Sequence, residues 1–304
     1  MSMKMFVAAA VGVALFVWTI ANVGVATLAV QINQLGIMLP LVMAFAAIRF
    51  VLQAAGWRIA MRSFSASAPS VIGGPSLLQA VRAVIAGEAA GYLTWGPISR
   101  EPVKALMVSA YTPERVSLSA AIVERLAYMT AATGLVTLSL VLVAIRTNRA
   151  DWIMPGFVAA IAIVALWRAA KRHTPRLLAS ARGSMSGTAL VALALLAIAQ
   201  EIINVIETYA VLTWLGASPT LESAVALEGL NRLANAPAQL IPGKLGVLEL
   251  AGSAFAGILQ LGTANGLTLV LARRVRSLAW TGVGILLLTT SASRVRTRRD
   301  PAIV

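Results

Sequence analysis

Between Met5 and Val30 the chain has 26 residues without a charged side chain, and further long apolar runs follow. In hydrocarbon every peptide N–H and C=O must be satisfied internally, so a run of about 20 apolar residues crosses a bilayer as an α-helix. Composition agrees with that constraint. The chain is 59% hydrophobic and only 12% charged, with mean hydropathy +0.84, whereas a soluble domain has roughly 25% charged residues. This excludes an ordinary soluble fold and predicts an all-α polytopic membrane protein, with one membrane domain over 1–304. Only Lys4 precedes the first run. That run is long for a signal-peptide core and lacks a clear cleavage site, so it reads as a retained span.

Lys and Arg exceed Asp and Glu by 25 to 11, giving a net charge of +14. In a soluble chain that balance points to nucleic acid. Here the basic residues gather at span ends, where they set orientation and meet anionic headgroups, and no nucleic-acid motif is present. There is no cysteine, which excludes disulfides and thiolate metal sites, and the single histidine, His173, lies isolated in a basic loop. No HExxH, GxSxG or Walker pattern occurs, and no Ser or Thr has a His partner. The expectation is a protein without catalytic machinery, cofactor or metal.

Six spans are predicted, over about 5–30, 39–61, 114–145, 152–167, 188–215 and 265–290. Gln31 to Gly36 is read as a short loop between the first two. Two other stretches are too broken to be ordinary spans. Residues 76–110 read as an apolar helix stopped at Gly96-Pro97, then a second short helix from Glu101 with Pro102 in its first turn, where proline is well accommodated. Residues 221–261 repeat the plan, with Ile241-Pro-Gly-Lys244 as the break and a further glycine at Gly246. Broken backbone at membrane depth is tolerated only where it is buried in protein or lines a watery cavity. Both stretches therefore read as re-entrant hairpins.

The positive-inside rule places Arg58 and Arg62, the loop 168–182 and the C-terminal tail in the cytoplasm. Six crossings with both termini inside satisfy all three, while Arg146 and Arg149 are a mild exception. The order span, span, hairpin, span then occurs twice, over 1–145 and 150–291, with a basic tail over 292–304. Three crossings per unit make the second copy inverted. Glu124-Arg125 lies 23 to 24 residues after Glu101, and Arg273-Arg274 lies 24 to 25 after Glu249. Inverted repeats with broken helices are a transporter architecture.

The apolar stretches retain many ionisable residues, each costing at least about 2.5–3.5 kcal/mol at a helix centre on insertion scales. They are either structural ion pairs holding the bundle or the lining of a polar site. Gln200, Asn204 and Glu207 follow i, i+4, i+7 on one helical face, with Glu201 and Thr208 flanking it. Such a stripe faces a cavity or a partner helix. Arg49 and Gln53 have the related spacing in the first repeat. At each hairpin break the following half-helix turns free N–H groups and a positive dipole end inward. With Lys244 and Lys104 nearby, that suits a phosphate. The alternative is a plain helix start with a snorkelling lysine.

Ile241-Pro-Gly-Lys-Leu-Gly-Val-Leu-Glu249, followed by Leu271-Ala-Arg-Arg274 and Gly282-Val-Gly284, resembles the membrane region of the lysylphosphatidylglycerol synthase family, also called the flippase-like domain family. Gly87-Glu-Ala-Ala-Gly-Tyr-Leu-Thr94 and Glu101-Pro-Val-Lys104 resemble the subgroup that includes hopanoid-biosynthesis-associated membrane proteins. Trp57-Arg58 and Glu124-Arg125 fit as well. The resemblance spans nearly the whole chain. It departs at Trp95-Gly96-Pro97 and Ser99-Arg100, and it does not extend to the soluble synthase domain.

The resemblance implies a transporter of an amphipathic lipid, whether an aminoacylated phospholipid, a glycolipid, a polyprenyl lipid or a hopanoid, in the inner membrane of a bacterium. Its partners would be lipids with anionic or zwitterionic headgroups and a separate lipid-synthesising enzyme. Glu88, Glu101, Lys104, Asn231, Arg232, Asn235, Lys244 and Glu249 are then candidates for the headgroup path. Arg49, Glu124, Arg125, Glu201, Asn204, Glu207, Arg273 and Arg274 are candidates for orienting or gating it. Gly96, Pro97, Pro242, Gly243 and Gly246 mark the hairpin breaks. The competing expectations are a membrane-embedded lipid-modifying enzyme and a non-catalytic partner subunit of one.

Overall fold

The structure is a computed structural model that describes residues 18, 21, 25–65, 74–93, 97–148, 151, 185–238 and 246–299. Among the described residues there are eight helices and no strand. They are α1 (Val25–Ser65), α2 (Leu77–Leu93), α3 (Pro97–Met107), α4 (Glu114–Thr147), α5 (Gly187–Trp214), α6 (Leu221–Ala238), α7 (Val247–Ile258) and α8 (Thr263–Arg299). Three segments among the described residues are long and apolar enough to cross a membrane: Gly36–Ser65, Glu114–Thr147 and Gly187–Trp214, with mean hydropathies of 2.0, 1.9 and 2.2. Most of the predicted span 5–30, the span 152–167 and the loop 168–182 lie outside the described residues.

Local chemistry fixes where the helices begin. Before α2, the Ser76 N–H donates to Gln79 Oε1 (2.7 Å), and the Gln79 N–H donates back to Ser76 Oγ (3.3 Å). Before α6, the Thr220 N–H donates to Ser223 Oγ (2.9 Å) and the Ser223 N–H to Thr220 Oγ1 (3.2 Å). Each is a reciprocal cap that satisfies two orphan donors of a helix start. At α7 the cap is Gly246, with φ at +79°, a left-handed conformation open chiefly to glycine.

Two readings from sequence are corrected. Residues 31–36 are not a loop: α1 runs through them without interruption. Their polar residues are uncharged Gln and Asn, which a continuous helix accommodates. Pro102 is not in a first turn, because α3 begins at Pro97 and carries Pro102 in its interior. Pro97 takes the first helical position, where a missing N–H is no loss. Helix α8 continues to Arg299, so the basic segment after residue 291 is helical as far as that residue.

The contacts divide the chain into two units. Among the described residues, the first holds α1 up to Ala47, α4 from Tyr128, α5 from Ile198, α6, α7 and α8 up to Arg276. Its core joins Met38 and Val42, Leu140 and Val143, Leu212, Leu227, Leu230, Leu259 and Leu269. The helix pair α6–α7 packs on itself within this unit. Small residues let the backbones approach: a Cβ on Gly266 would collide with the Gly252 carbonyl, and one on Gly229 with Ser139. Ser139 Oγ lies 2.7 Å from the Val225 carbonyl and 2.8 Å from that of Leu135. Membrane helices, which gain little from the hydrophobic effect on association, pack in this way.

The second unit holds the rest of α1, α2, α3, the start of α4, the first part of α5 and α8 from Ser277. The pair α2–α3 packs on itself. Trp57 is fully buried, and its Nε1–H donates to the Ser117 carbonyl (2.9 Å). Phe50 meets Trp280 edge to face, with ring centroids 5.1 Å apart.

Helix α5 shows how the chain distributes polarity. Val191, Leu195, Ile198, Ile202, Ile206 and Tyr209 are exposed, while Gln200, Glu201, Asn204, Glu207 and Thr208 are buried. Spacings of three and four put the apolar set on one face. A helix that turns its apolar face outward and its polar face inward suits a lipid surround.

Replacing Gly266 with Val forces apart α7 and α8 and should cost about 1–3 kcal/mol, the usual penalty of overpacking. Gly134→Val, at a glycine with open space around it, should be nearly neutral. Thermal unfolding of the two variants in detergent micelles checks this, and equal losses would contradict the packing argument.

Candidate functional site

Among the described residues, most buried charge gathers in one cluster in each unit, with a separate Glu249–Arg274 pair in the first. In the first unit the cluster is built from α5, α6 and α8. Arg273 on α8 is the hub: its Nε donates to Glu207 Oε1 (2.9 Å), and its Nη2 reaches Glu228 Oε2 (2.8 Å) and Thr208 Oγ1 (2.8 Å). Thr208 Oγ1 passes a hydrogen bond on to Glu228 Oε2 (2.9 Å). Arg276, three residues further along α8, takes the other oxygen of Glu207. Arg232 donates to Glu228 Oε1 (3.1 Å), pairs with Glu201 (2.8 Å) and donates to the Tyr128 hydroxyl. Its guanidinium also lies 5.5 Å from the Tyr128 ring centre. Asn204 donates to the Gln200 carbonyl (2.8 Å) and lies 3.4 Å from Glu201 Oε2.

Three carboxylates (Glu201, Glu207, Glu228) thus face three guanidiniums (Arg232, Arg273, Arg276). Glu207 is fully buried, and Glu201 and Glu228 nearly so. All four oxygens of Glu207 and Glu228 have a partner. Arginine suits this role because its planar fork holds two carboxylates at once. A second pair in this unit is less complete. Arg274 Nη2 lies 2.5 Å from Glu249 Oε1, yet neither Glu249 oxygen accepts an aligned hydrogen bond. Glu249 is fully buried in the first turn of α7, where the helix dipole favours its charge.

The cluster of the second unit is built around the α2–α3 pair. Arg100 Nη2 meets Glu88 (2.6 Å), and its Nε lies 3.6 Å from Glu101. Lys104 Nζ lies 2.7 Å from Glu101 and 3.8 Å from Glu124 of α4, and 4.8 Å from the centre of the Trp57 ring. Lys104 is fully buried. It passes directly over Gly87: a Cβ there would stand 2.6 Å from Lys104 Cγ and 2.9 Å from the Arg100 carbonyl. Gly87 is therefore the gap through which the lysine side chain runs.

Most of the residues picked from sequence fall into these sets. Glu201, Asn204, Glu207, Arg232 and Arg273 share the first cluster, and Glu249 pairs with Arg274. Glu88, Glu101, Lys104 and Glu124 share the second. Arg49 and Arg125 are half-buried, as are Asn231 and Asn235 on α6. Gly96, Pro242, Gly243 and Lys244 lie outside the described residues. Lys104 is not one turn into its half-helix: it is the eighth residue of α3, so it meets carboxylates rather than a helix start. Sequence reasoning passed over Tyr128 and Trp57 as partners of the cations. The available signal is an aromatic with a polar edge inside a long apolar run. Among the described residues no three His, Cys, Asp or Glu side chains gather as metal ligands.

Comparisons with protein-family models, curated proteins and solved structures find no match to this chain.

Removing the hub leaves two buried carboxylates short of a partner. Arg273→Met should destabilise the protein by about 3–5 kcal/mol, the cost of breaking a buried pair on one side. Thr208→Val, which removes one relaying hydroxyl, should cost about 1–3 kcal/mol. Unfolding in detergent, followed by circular dichroism, checks the order.

Proposed function

We propose that this chain is an integral membrane transporter that moves an amphipathic lipid between leaflets, its headgroup passing polar side chains while its tails remain in the bilayer. In this reading the chain has six crossings and two re-entrant hairpins in an inverted repeat, and it lies in a bacterial inner membrane with both termini cytoplasmic. It would be a relative of the flippase-like family.

One observation carries the reading: each unit holds a charge set that is paired but incompletely hydrogen-bonded. These are Glu249–Arg274 beside the α6–α7 pair and Lys104 between Glu101 and Glu124 beside the α2–α3 pair. A saturated network such as Glu207–Arg273–Glu228 is a lock, since exchange would break several aligned bonds. A pair held by charge alone can give up one member to a ligand. The protein's own carboxylate then occupies the place that a lipid phosphate takes during transport. Lipids with a phosphate, and zwitterionic ones with an amine beside it, offer charges that match both members of such a pair.

Lys244→Ala and Glu249→Gln should each slow translocation by about tenfold or more, the effect of losing roughly 1.4 kcal/mol at the transition state, with the protein still folded. The measurement uses proteoliposomes carrying acyl-labelled phosphatidylglycerol, phosphatidylethanolamine or a labelled polyprenyl phosphate. A membrane-impermeant reductant reports which leaflet holds the label. Undiminished translocation in both variants would refute the site, and a wild-type chain that moves none of the lipids would refute the function.

A further inference from the structure

Glu124 is the one carboxylate in the α2–α3 cluster whose surroundings do not commit it to a charge. Its side chain is 4% exposed and lies inside the apolar segment Glu114–Thr147. Neither oxygen accepts a hydrogen bond. On its own helix the preceding turn brings buried Ala120 and Ala121. From α1 come Gly56, where a Cβ would stand 3.6 Å from Glu124 Cγ, and the Trp57 indole, whose N–H is already given to Ser117. Arg58 on α1 is turned to the Pro75 carbonyl.

The charged groups facing Glu124 are those of α3, namely Lys104, Arg100 and Glu101. The nearest is Lys104, at 3.8 Å, and its ammonium lies closer to Glu101, at 2.7 Å. Arg100 is engaged with Glu88 and Glu101. On α4, Arg125 follows Glu124 and favours its ionised form, although successive helix positions do not face each other. Within the cluster Glu88 and Glu101 already balance Arg100 and Lys104, two against two. An ionised carboxylate buried with no hydrogen bond is far costlier than the neutral acid. Glu249 makes the contrast in geometry: an arginine nitrogen lies 2.5 Å from its Oε1.

We propose that Glu124 is a proton-carrying site that couples proton movement to the transport described above, with Lys104 as its mobile counter-charge. The geometry is that of the protonated acid: Lys104 leans on Glu101, and Glu124 is left without a donor. When Glu124 releases its proton to water, the new carboxylate draws Lys104 Nζ across the gap over Gly87 and loosens Glu101. Uptake of a proton from water on the other side of the membrane returns the ammonium to Glu101. The same movement exposes and withdraws a cation that an anionic headgroup can meet. This inference rests on the transport reading, and its direct test does not.

Infrared difference spectra of the full chain in phosphatidylglycerol vesicles, recorded while the pH is stepped, report the C=O stretch of a protonated carboxyl. Wild type should show such a band near neutral pH that bleaches at alkaline pH, and Glu124→Gln should lack it. A spectrum with no Glu124-dependent band at any pH overturns the proposal. If Glu124→Gln does not fold, Glu124→Asp should move the pH of bleaching, and an unmoved band overturns the proposal equally. In the translocation assay, an imposed difference of about one pH unit should change the wild-type rate by up to about tenfold, the limit for a single titrating group. Glu124→Gln should keep a slow, gradient-insensitive exchange. Wild-type translocation that ignores the gradient defeats the coupling and leaves the transport reading intact. Absence of translocation defeats that reading, and the coupling with it, while the carboxyl band still decides whether Glu124 titrates.

Discussion

A charge placed in a low-dielectric interior must find its opposite, and this rule organises both units of the protein. Each of Glu201, Glu207 and Glu228 meets a guanidinium, and each of those guanidiniums is brought by a different helix or by a neighbouring turn. Apolar packing gives membrane helices little orientation of their own, because lipid tails are as good a partner as another leucine. Ion pairs between α5, α6 and α8 supply what packing leaves out: they fix rotation and register, since a shift of one residue would carry a charge some 100° around the helix.

The buried charges differ in how completely their hydrogen bonds are made. Around Arg273 every bond is aligned and shared, with Thr208 relaying between cation and anion. Around Lys104 and Glu249 the attraction is mainly charge at a distance or off axis. Networks of the first kind rigidify a structure, whereas incomplete ones are where a protein retains freedom to exchange partners. The sequence contains glutamates and basic residues of the same types in both, so composition alone does not distinguish them.

Much of the helix plan was legible in the sequence for plain reasons. The stripe Gln200, Asn204, Glu207 has helical spacing, and it does lie on the buried face of α5. That a new helix begins near Gly96-Pro97 was readable because Gly-Pro pairs punctuate helices, although it begins at Pro97 rather than at Glu101. The caps Ser76-Leu-Leu-Gln79 and Thr220-Leu-Glu-Ser223 place the starts of α2 and α6, and the first matches the capping-box pattern. The interval 31–36 misled because polar residues were weighed as loop formers when uncharged Gln and Asn continue a helix at modest cost. Partner choice was not legible at all. That Glu201 goes to Arg232 while Glu207 goes to Arg273 and Arg276 follows from how three helices rotate against one another, and no local pattern encodes it. Nor does sequence spacing reveal that Gly87 clears a passage for Lys104.

The separation of partners along the chain has a consequence for synthesis. Glu207 and Arg273 stand 66 residues apart, and the carboxylates of α5 leave the ribosome first. At about 5–20 residues per second the delay is roughly 3–13 s. Arg232 follows Glu201 by only 31 residues and arrives within that interval, so Glu207 waits longest, for Arg273 and Arg276. The nascent helix must wait at the insertion machinery, hold those groups protonated, or keep them in water until α6 and α8 arrive. Assembly of this unit is thus ordered by the arrival of positive charge, and α8, the last of its described helices, is the one that closes it.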